Sequence, residues 1–201
     1  MLITIEGIDG SGKSTLIENL KNELKDINPV FTREPGATWI GEQVRRGIAE
    51  EIDPVAEALL FVADHAAHLD VVIRPGLSKN LTIISDRYTD SRYAYQSVTL
   101  KNHLIDPVGW LRLVHNEWTV RPDKTFLLVI DPEISIQRIK NEREGNEHFE
   151  RLETLKGVQS AYLKLAAEEP DRFVIIDAEK DRDEIASFVA GEIRNLHNNG
   201  A

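Results

Sequence analysis

The chain has 201 residues, enough for one compact α/β domain or two very small ones, and its 41% apolar and 29% charged residues are ordinary for a soluble protein with a buried core. Its 34 acidic against 24 basic side chains give a formal charge of −10, which argues against broad binding to a nucleic-acid backbone but leaves room for a small polyanion in a local basic pocket. The lack of cysteine removes disulfides, thiolate metal sites and Cys nucleophiles, and no apolar run nears the roughly 20 residues that span a bilayer, so a cytoplasmic protein without a leader is expected.

From the amino end, residues 2–5 form the first β-branched, apolar run and 13–25 the first amphipathic stretch at helical spacing. Between them, Gly7-Ile8-Asp9-Gly10-Ser11-Gly12-Lys13-Ser14-Thr15 fits G-x-x-x-x-G-K-S/T in its required context, a strand before and a helix after. Glycines let successive N–H groups turn inward onto phosphate oxygens, and a helix starting near Lys13 aims its positive end at the same anion. Lys13 is placed to neutralise β- and γ-oxygens, and the Ser14 hydroxyl to ligate Mg²⁺. A glycine-rich turn without a ligand is the competing reading; the match in residues and context favours a nucleoside triphosphate.

The second strand is expected at 30–32, running into Thr32-Arg33-Glu34-Pro35-Gly36. Helices follow at 40–49 and 55–73, the latter carrying Phe61, His65 and His68 on one face at i, i+4 and i+7. Residues 81–85 read as a third strand leading to Asp86-Arg87-Tyr88, with Asp90-Ser91-Arg92-Tyr93 and Ala94-Tyr95-Gln96 beyond. A helix at 108–118, a strand at 125–130, helices at 133–141 and 149–168, a strand at 173–176 and a helix at 182–196 complete the pattern, and 198–201 read as a frayed tail. Asp-Pro pairs at Asp53, Asp106 and Asp131 suit helix starts, Asp accepting from orphan amides and Pro supplying a preset φ. Several strand runs are apolar throughout, as when both faces are covered, and the alternation predicts a five-stranded parallel sheet flanked by helices on both sides. No repeat or composition shift divides residues 1–197, which read as a single domain.

The set Gly7 to Gly10, Thr32 to Gly36, Ser85 to Tyr88 and Ala94 to Gln96, in this order and spacing from Met1 to about Ala178, resembles the thymidylate kinase family. Ala63-Asp64-His65 together with Asp90 to Gln96 is similar to its archaeal branch. The resemblance implies a P-loop kinase that converts ATP and dTMP to ADP and dTDP in dTTP synthesis, with Mg²⁺ as cofactor, as a homodimer. It implies that Arg33 and Arg87 contact the acceptor phosphate. Both are expected at the carboxyl edge of the sheet, where two planar guanidiniums can grip a monophosphate and align it with the γ-phosphoryl group. Simple pairing with Glu34 and Asp86 is the alternative.

Asp86 ends an apolar strand as a Walker-B-type aspartate does and is expected to share Mg²⁺ with Ser14, a turn-capping role being the alternative. Asp9 falls where the family sets a carboxylate near the sugar 3′-hydroxyl, though a turn-forming aspartate remains open. Phe61 matches the phenylalanine that stacks on thymine, with a plain core role as the alternative. His65 stands where the family has an arginine that bonds the base; its imidazole could still donate to a base carbonyl, and Arg92 is expected to supply the guanidinium. His65 and His68 as metal ligands is the lesser reading. Tyr95 and Gln96 either line the nucleoside pocket or cap a loop.

The polar stretch 138–148 suits a mobile lid over ATP, with a solvated helix end as the alternative. There the resemblance puts Arg143 on the charge of the transferring phosphoryl group, in place of the loop arginine that some members carry at the position of Gly10, and Arg138 near adenine. Alternatives to the whole are another nucleoside monophosphate or deoxynucleoside kinase, or an ATPase without an acceptor.

Overall fold

The structure, a computed structural model, describes residues 1–142 and 148–199. The strands β1 (Leu2–Gly7), β2 (Val30–Arg33), β3 (Ile83–Asp86), β4 (Lys124–Val129) and β5 (Phe173–Asp177) form an all-parallel sheet of order β2-β3-β1-β4-β5. Arg33 lies opposite Asp86, Asp86 opposite Ile5, and Gly7 opposite Leu128. This register gathers the carboxyl ends of the first three strands on one edge, where open parallel sheets bind ligands.

The chain moves one way across the sheet from β1 to β2 and the other way from β3 to β4. Right-handed crossovers therefore put α1 (Lys13–Glu23) on one face and the helices after β3 on the other. α9 (Arg182–Asn199) packs beside α1, while α5 (Thr89–Thr99) packs against α6 (Pro107–His115) and α8 (Leu152–Glu168). Between β2 and β3 in the chain, α2 (Trp39–Ala49) pairs with α3 (Pro54–His68). α7 (Pro132–Glu142) follows β4.

β1 alternates with period two. Ile3 and Ile5 join the core with Leu16, Leu20 and Ile193, whereas Thr4 and Glu6, equally buried, face the other way. There Thr4 Oγ1 meets Thr125 Oγ1 at 2.7 Å. The second face of this strand is thus covered but mixed, with Leu2 apolar and Thr4 and Glu6 polar.

The three Asp-Pro starts are capped as expected, Asp53 accepting from the Val55 and Ala56 N–H groups, Asp106 from Gly109 and Asp131 from Glu133. Elsewhere boundaries move. The helix expected at 55–73 is composite: α3, a π-helical turn (Leu69–Ile73) and α4 (Arg74–Ser78) run on in sequence. β3 starts at Ile83 rather than 81, α6 stops at His115, and a 3₁₀ turn (His148–Glu150) precedes α8. α9 continues to Asn199, three residues past the expected end at 196. α5 had no counterpart in the expected elements. Its buried face carries Asp90, Ser91, Arg92 and Gln96, so no apolar stripe announces it. Among the described residues, no helix is long and apolar enough to cross a membrane.

Candidate active site

β1 ends at Gly7, where a side chain is excluded: φ is 144° and a Cβ would stand 2.5 Å from the Leu128 carbonyl oxygen. Gly12, at φ 93°, is the left-handed N-cap of α1. Lys13 opens the helix, and its Nζ donates to the carbonyls of Gly7 (3.1 Å) and Ile8 (2.8 Å). Burial, then the nearby charge of Arg87, pushes its ammonium down to about 8, which leaves it mostly charged at neutral pH.

A cleft of about 640 Å³ opens along the carboxyl edge of the sheet. Asp9, Gly10, Gly12, Lys13, Ser14 and Thr15 form one wall, backed by the buried Gly7, Ile8 and Ser11. The ends of β2 and β3 contribute Arg33, Asp86 and Arg87; α3 contributes Phe61, and α5 contributes Arg92, Tyr95 and Gln96. The edge expected to gather phosphate loop and arginines does so.

Arg87 adopts φ 65°, a left-handed conformation that costs a non-glycine residue about 1 kcal/mol. Its N–H donates to the Ile5 carbonyl (3.0 Å) and its own carbonyl accepts from Ser85 Oγ (2.7 Å). Nη2 donates to Asp9 Oδ1 (2.6 Å) and Tyr95 Oη (3.1 Å), and Nη1 to the Gly7 carbonyl (3.0 Å). The alternative pairing with Asp86 is not the one formed. Burial raises the Asp9 carboxyl, but Arg87, Lys13 and the hydrogen bonds from Tyr95 and Arg87 outweigh it and hold Asp9 below its usual range. Tyr95 Oη also donates to Asp9 Oδ2 at 2.8 Å and accepts the Asp9 N–H at 3.1 Å, so this tyrosine both lines the cleft and holds the loop.

Arg33 lies exposed on the lip of the cleft. Its neighbour Glu34, 4% exposed, turns inward instead of pairing with it. Glu34 Oε1 accepts from Nδ1 of His65 (2.9 Å) and of His68 (2.6 Å), and Oε2 accepts from Arg92 Nη1. Burial raises Glu34, but Arg92 and the histidines hold it well below the usual carboxylate range. An ionised carboxylate only accepts, so both imidazoles carry their proton on Nδ1. Their Nε2 atoms then accept from Thr119 Oγ1 (2.6 Å) and Thr32 Oγ1 (2.7 Å).

His65 therefore does not take the place expected for it. It is 0% exposed, lies behind the cleft wall with both nitrogens engaged, and is pushed down to about 4 by burial and Arg92. The same engagement leaves neither His65 nor His68 a free nitrogen for a metal. Arg92 stands at the wall instead. Its Nε donates to His115 Nε2 (3.1 Å) and Nη1 to Glu34, while the buried Nη2 has no partner among the described residues. One helical turn on, Gln96 Nε2 is in the same condition. A buried donor left unpartnered costs free energy, and such groups mark where a ligand acceptor belongs.

Ser14 and Asp86 both line the cleft beside the loop. Two hard oxygen donors suit Mg²⁺, which takes its remaining ligands from water and phosphate. Arg138 lies outside the cleft wall and flanks the loop, with Nη2 donating to the Ala178 carbonyl at 3.3 Å and Nη1 4.0 Å from where a Cβ on Gly12 would stand. The expected lid begins inside α7, and Arg143 lies outside the described residues. Sequence reasoning missed Arg45 of α2, whose Nη1 donates to the Pro35 carbonyl (3.3 Å), and Phe149, whose ring meets Tyr95 edge-on at 5.5 Å. Only the polar face of α2 could have marked Arg45.

A family model described as thymidylate kinase matches residues 5–189. A relative from Methanoculleus marisnigri, described as a probable thymidylate kinase, is 58% identical over 194 residues, covering 96% of this chain and 94% of the relative. Relatives with the same description from Methanocorpusculum labreanum and Natronomonas pharaonis are 53% identical over 196 residues and 39% over 197, each match covering 98% of both chains.

Proposed function

Because the chain belongs to the thymidylate kinase family, we infer that it is an ATP-dependent nucleoside monophosphate kinase that transfers the γ-phosphoryl group of ATP to dTMP, feeding dTTP synthesis. The observation that carries this reading is the joint presence of Lys13 in its phosphate loop and the guanidiniums of Arg33 and Arg87 around one cleft. That arrangement suits two phosphate chains held end to end. Phosphoryl transfer between anionic oxygens needs alignment and charge neutralisation more than a general base, and cations and loop amides supply both.

The proposed donor site is the loop from Gly7 to Thr15, with Arg138 toward adenine. Ser14 and Asp86 would hold Mg²⁺, which neutralises charge on the phosphate oxygens. Arg33 and Arg87 grip the acceptor phosphate. Asp9, already fixed by Arg87 and Tyr95, accepts from the sugar 3′-hydroxyl. Phe61 offers a flat apolar face to the base, and the unpartnered donors of Arg92 and Gln96 await carbonyl acceptors. A pyrimidine with a 4-carbonyl satisfies them, whereas the 4-amino group of cytosine sets donor against donor. Family resemblance extends the proposal to Arg143 as the cation on the transferring group and to a cytoplasmic homodimer acting on free nucleotides.

A coupled ADP-release assay with ATP against dTMP, dUMP, dCMP, AMP and thymidine tests the reading. The expected order puts dTMP first. Turnover of ATP at the same rate without any acceptor, or preference for AMP or thymidine, would overturn it.

A further inference from the structure

Glu6 is fully buried in β1, directly before Gly7 of the phosphate loop, on the face that meets α5 and Tyr162 of α8. It does not line the cleft, so no nucleotide touches it. Its Oε1 accepts the Tyr88 N–H at 2.7 Å, and Oε2 accepts the hydroxyls of Ser91 at 2.6 Å and Tyr162 at 2.8 Å. All three donors surround Arg87. Tyr88 is the next residue in the chain, and the Ser91 and Tyr162 hydroxyl oxygens accept from Arg87 Nη1 at 3.2 Å and 3.4 Å. Tyr88 also heads α5 with no side-chain cap from its own helix among the described residues, and the Glu6 carboxylate on the neighbouring strand takes that orphan amide.

We propose that Glu6 is a positioning residue for Arg87, fixing both its left-handed backbone and the direction of its guanidinium and so setting the affinity for the acceptor phosphate. The inference rests on the reading of Arg87 as a phosphate ligand. An ionised Glu6 accepts from all three donors, and the Ser91 and Tyr162 oxygens, 2.7 Å apart, keep lone pairs for Arg87 Nη1. A protonated Glu6 must donate one hydrogen into the same group, and the negative charge behind the guanidinium disappears.

The charged and titratable groups facing Glu6 are Arg87 and Asp90 from the segment after β3, Tyr162 from α8 and Lys13 from α1, with Arg172 held beyond by Asp90. Burial and Asp90 push its carboxyl up to about 7, against the pull of Ser91, Arg87 and Tyr162. The device therefore changes state near neutral pH.

The test is steady-state kinetics of the full chain and of Glu6→Gln, Tyr162→Phe and Arg87→Lys, each with ATP and dTMP varied separately. At pH 8, Glu6→Gln is expected to raise KM for dTMP about tenfold and to move KM for ATP less than about twofold. The ratio of wild-type to Glu6→Gln kcat/KM for dTMP cancels ionisation of the substrate. It should fall toward one as the pH drops below about 6, where both proteins carry a neutral group. A ratio independent of pH, or equal increases in both KM values, overturns the proposal. Should Glu6→Gln fail to fold, Tyr162→Phe carries the test: KM for dTMP should rise about threefold with KM for ATP unmoved, and no change overturns it. If Arg87→Lys leaves KM for dTMP unchanged, the reading of Arg87 falls and the inference with it. If Arg87→Lys raises that KM and Glu6→Gln does not, the inference alone falls.

Discussion

Replacing Arg92 by methionine separates what this residue does for the fold from what it does for the substrate. In the fold it is the guanidinium partner of Glu34, buried on both sides of the pair, and its Nε–H satisfies His115 Nε2. Removing it strands a carboxylate in the interior, for which about 3–5 kcal/mol of stability should be lost at pH 8. At pH 6 the loss should be smaller, because His65, already bonded to Glu34 and freed from the repulsion of Arg92, can take up a proton and restore a cation. The sign follows from linkage. In the variant the His65 pKa rises above its unfolded value, so its contribution is complete below about 6.5 and is lost as the pH climbs through the folded value. In the wild type His65, held down to about 4, works in the opposite sense. The stability gap should therefore narrow from pH 8 to pH 6 in urea unfolding followed by circular dichroism. In the site, the loss of one hydrogen bond from a charged donor, about 1.5–3 kcal/mol, should lower kcat/KM for dTMP by about 10- to 150-fold and leave dCMP nearly untouched. An unchanged kcat/KM for dTMP alongside lost stability would reduce Arg92 to a structural role. Equal losses at both pH values would refute the exchange of cations.

Three shorter predictions accompany it. Wild type should prefer dTMP over its 3′-deoxy analogue by about tenfold, and Asp9→Asn should bring that ratio toward one; an unchanged ratio removes Asp9 from the sugar. Arg143→Ala should lower kcat far more than it raises KM for dTMP, and the reverse pattern would move that residue away from the transferring group. His65 and His115, pushed down to about 4 and about 3 by burial and Arg92, are neutral in the fold yet protonate when unfolded. From pH 7 to 5 together they should withdraw about 4 kcal/mol of stability, while Glu6, whose raised pKa favours the fold in acid, returns about 2–3 kcal/mol. The urea midpoint should thus fall modestly in the wild type and more steeply in Glu6→Gln; a midpoint that rises on acidification would contradict the buried neutral imidazoles.

Features set by local chemistry were legible in advance. The glycine spacing of the phosphate loop, the Asp-Pro helix starts and the alternation of short apolar runs with amphipathic stretches each depend on a few neighbouring residues, and each appears in the structure. α5 was illegible because its inward face is polar: Asp90 meets Arg172 and Ser91 meets Glu6, partners 82 and 85 residues away. His65 was misplaced for a related reason. A spacing of i, i+4 puts it on the same helical face as Phe61, but only Glu34 and Thr119, brought in from distant loops, decide that the imidazole faces inward. The Arg87–Asp9 pair was hidden in the same way, since adjacency in sequence pointed to Asp86.

A side chain at position 7 would push β1 and β4 apart, since the Leu128 carbonyl oxygen already stands 2.5 Å from where its Cβ would be. The anion cradle thus grows directly from the central pair of strands, and its shape depends on their pairing. Warming should not slacken the cradle ahead of the remainder of the molecule. Nucleotide affinity should decline gently and then collapse at the melting temperature, as one cooperative event.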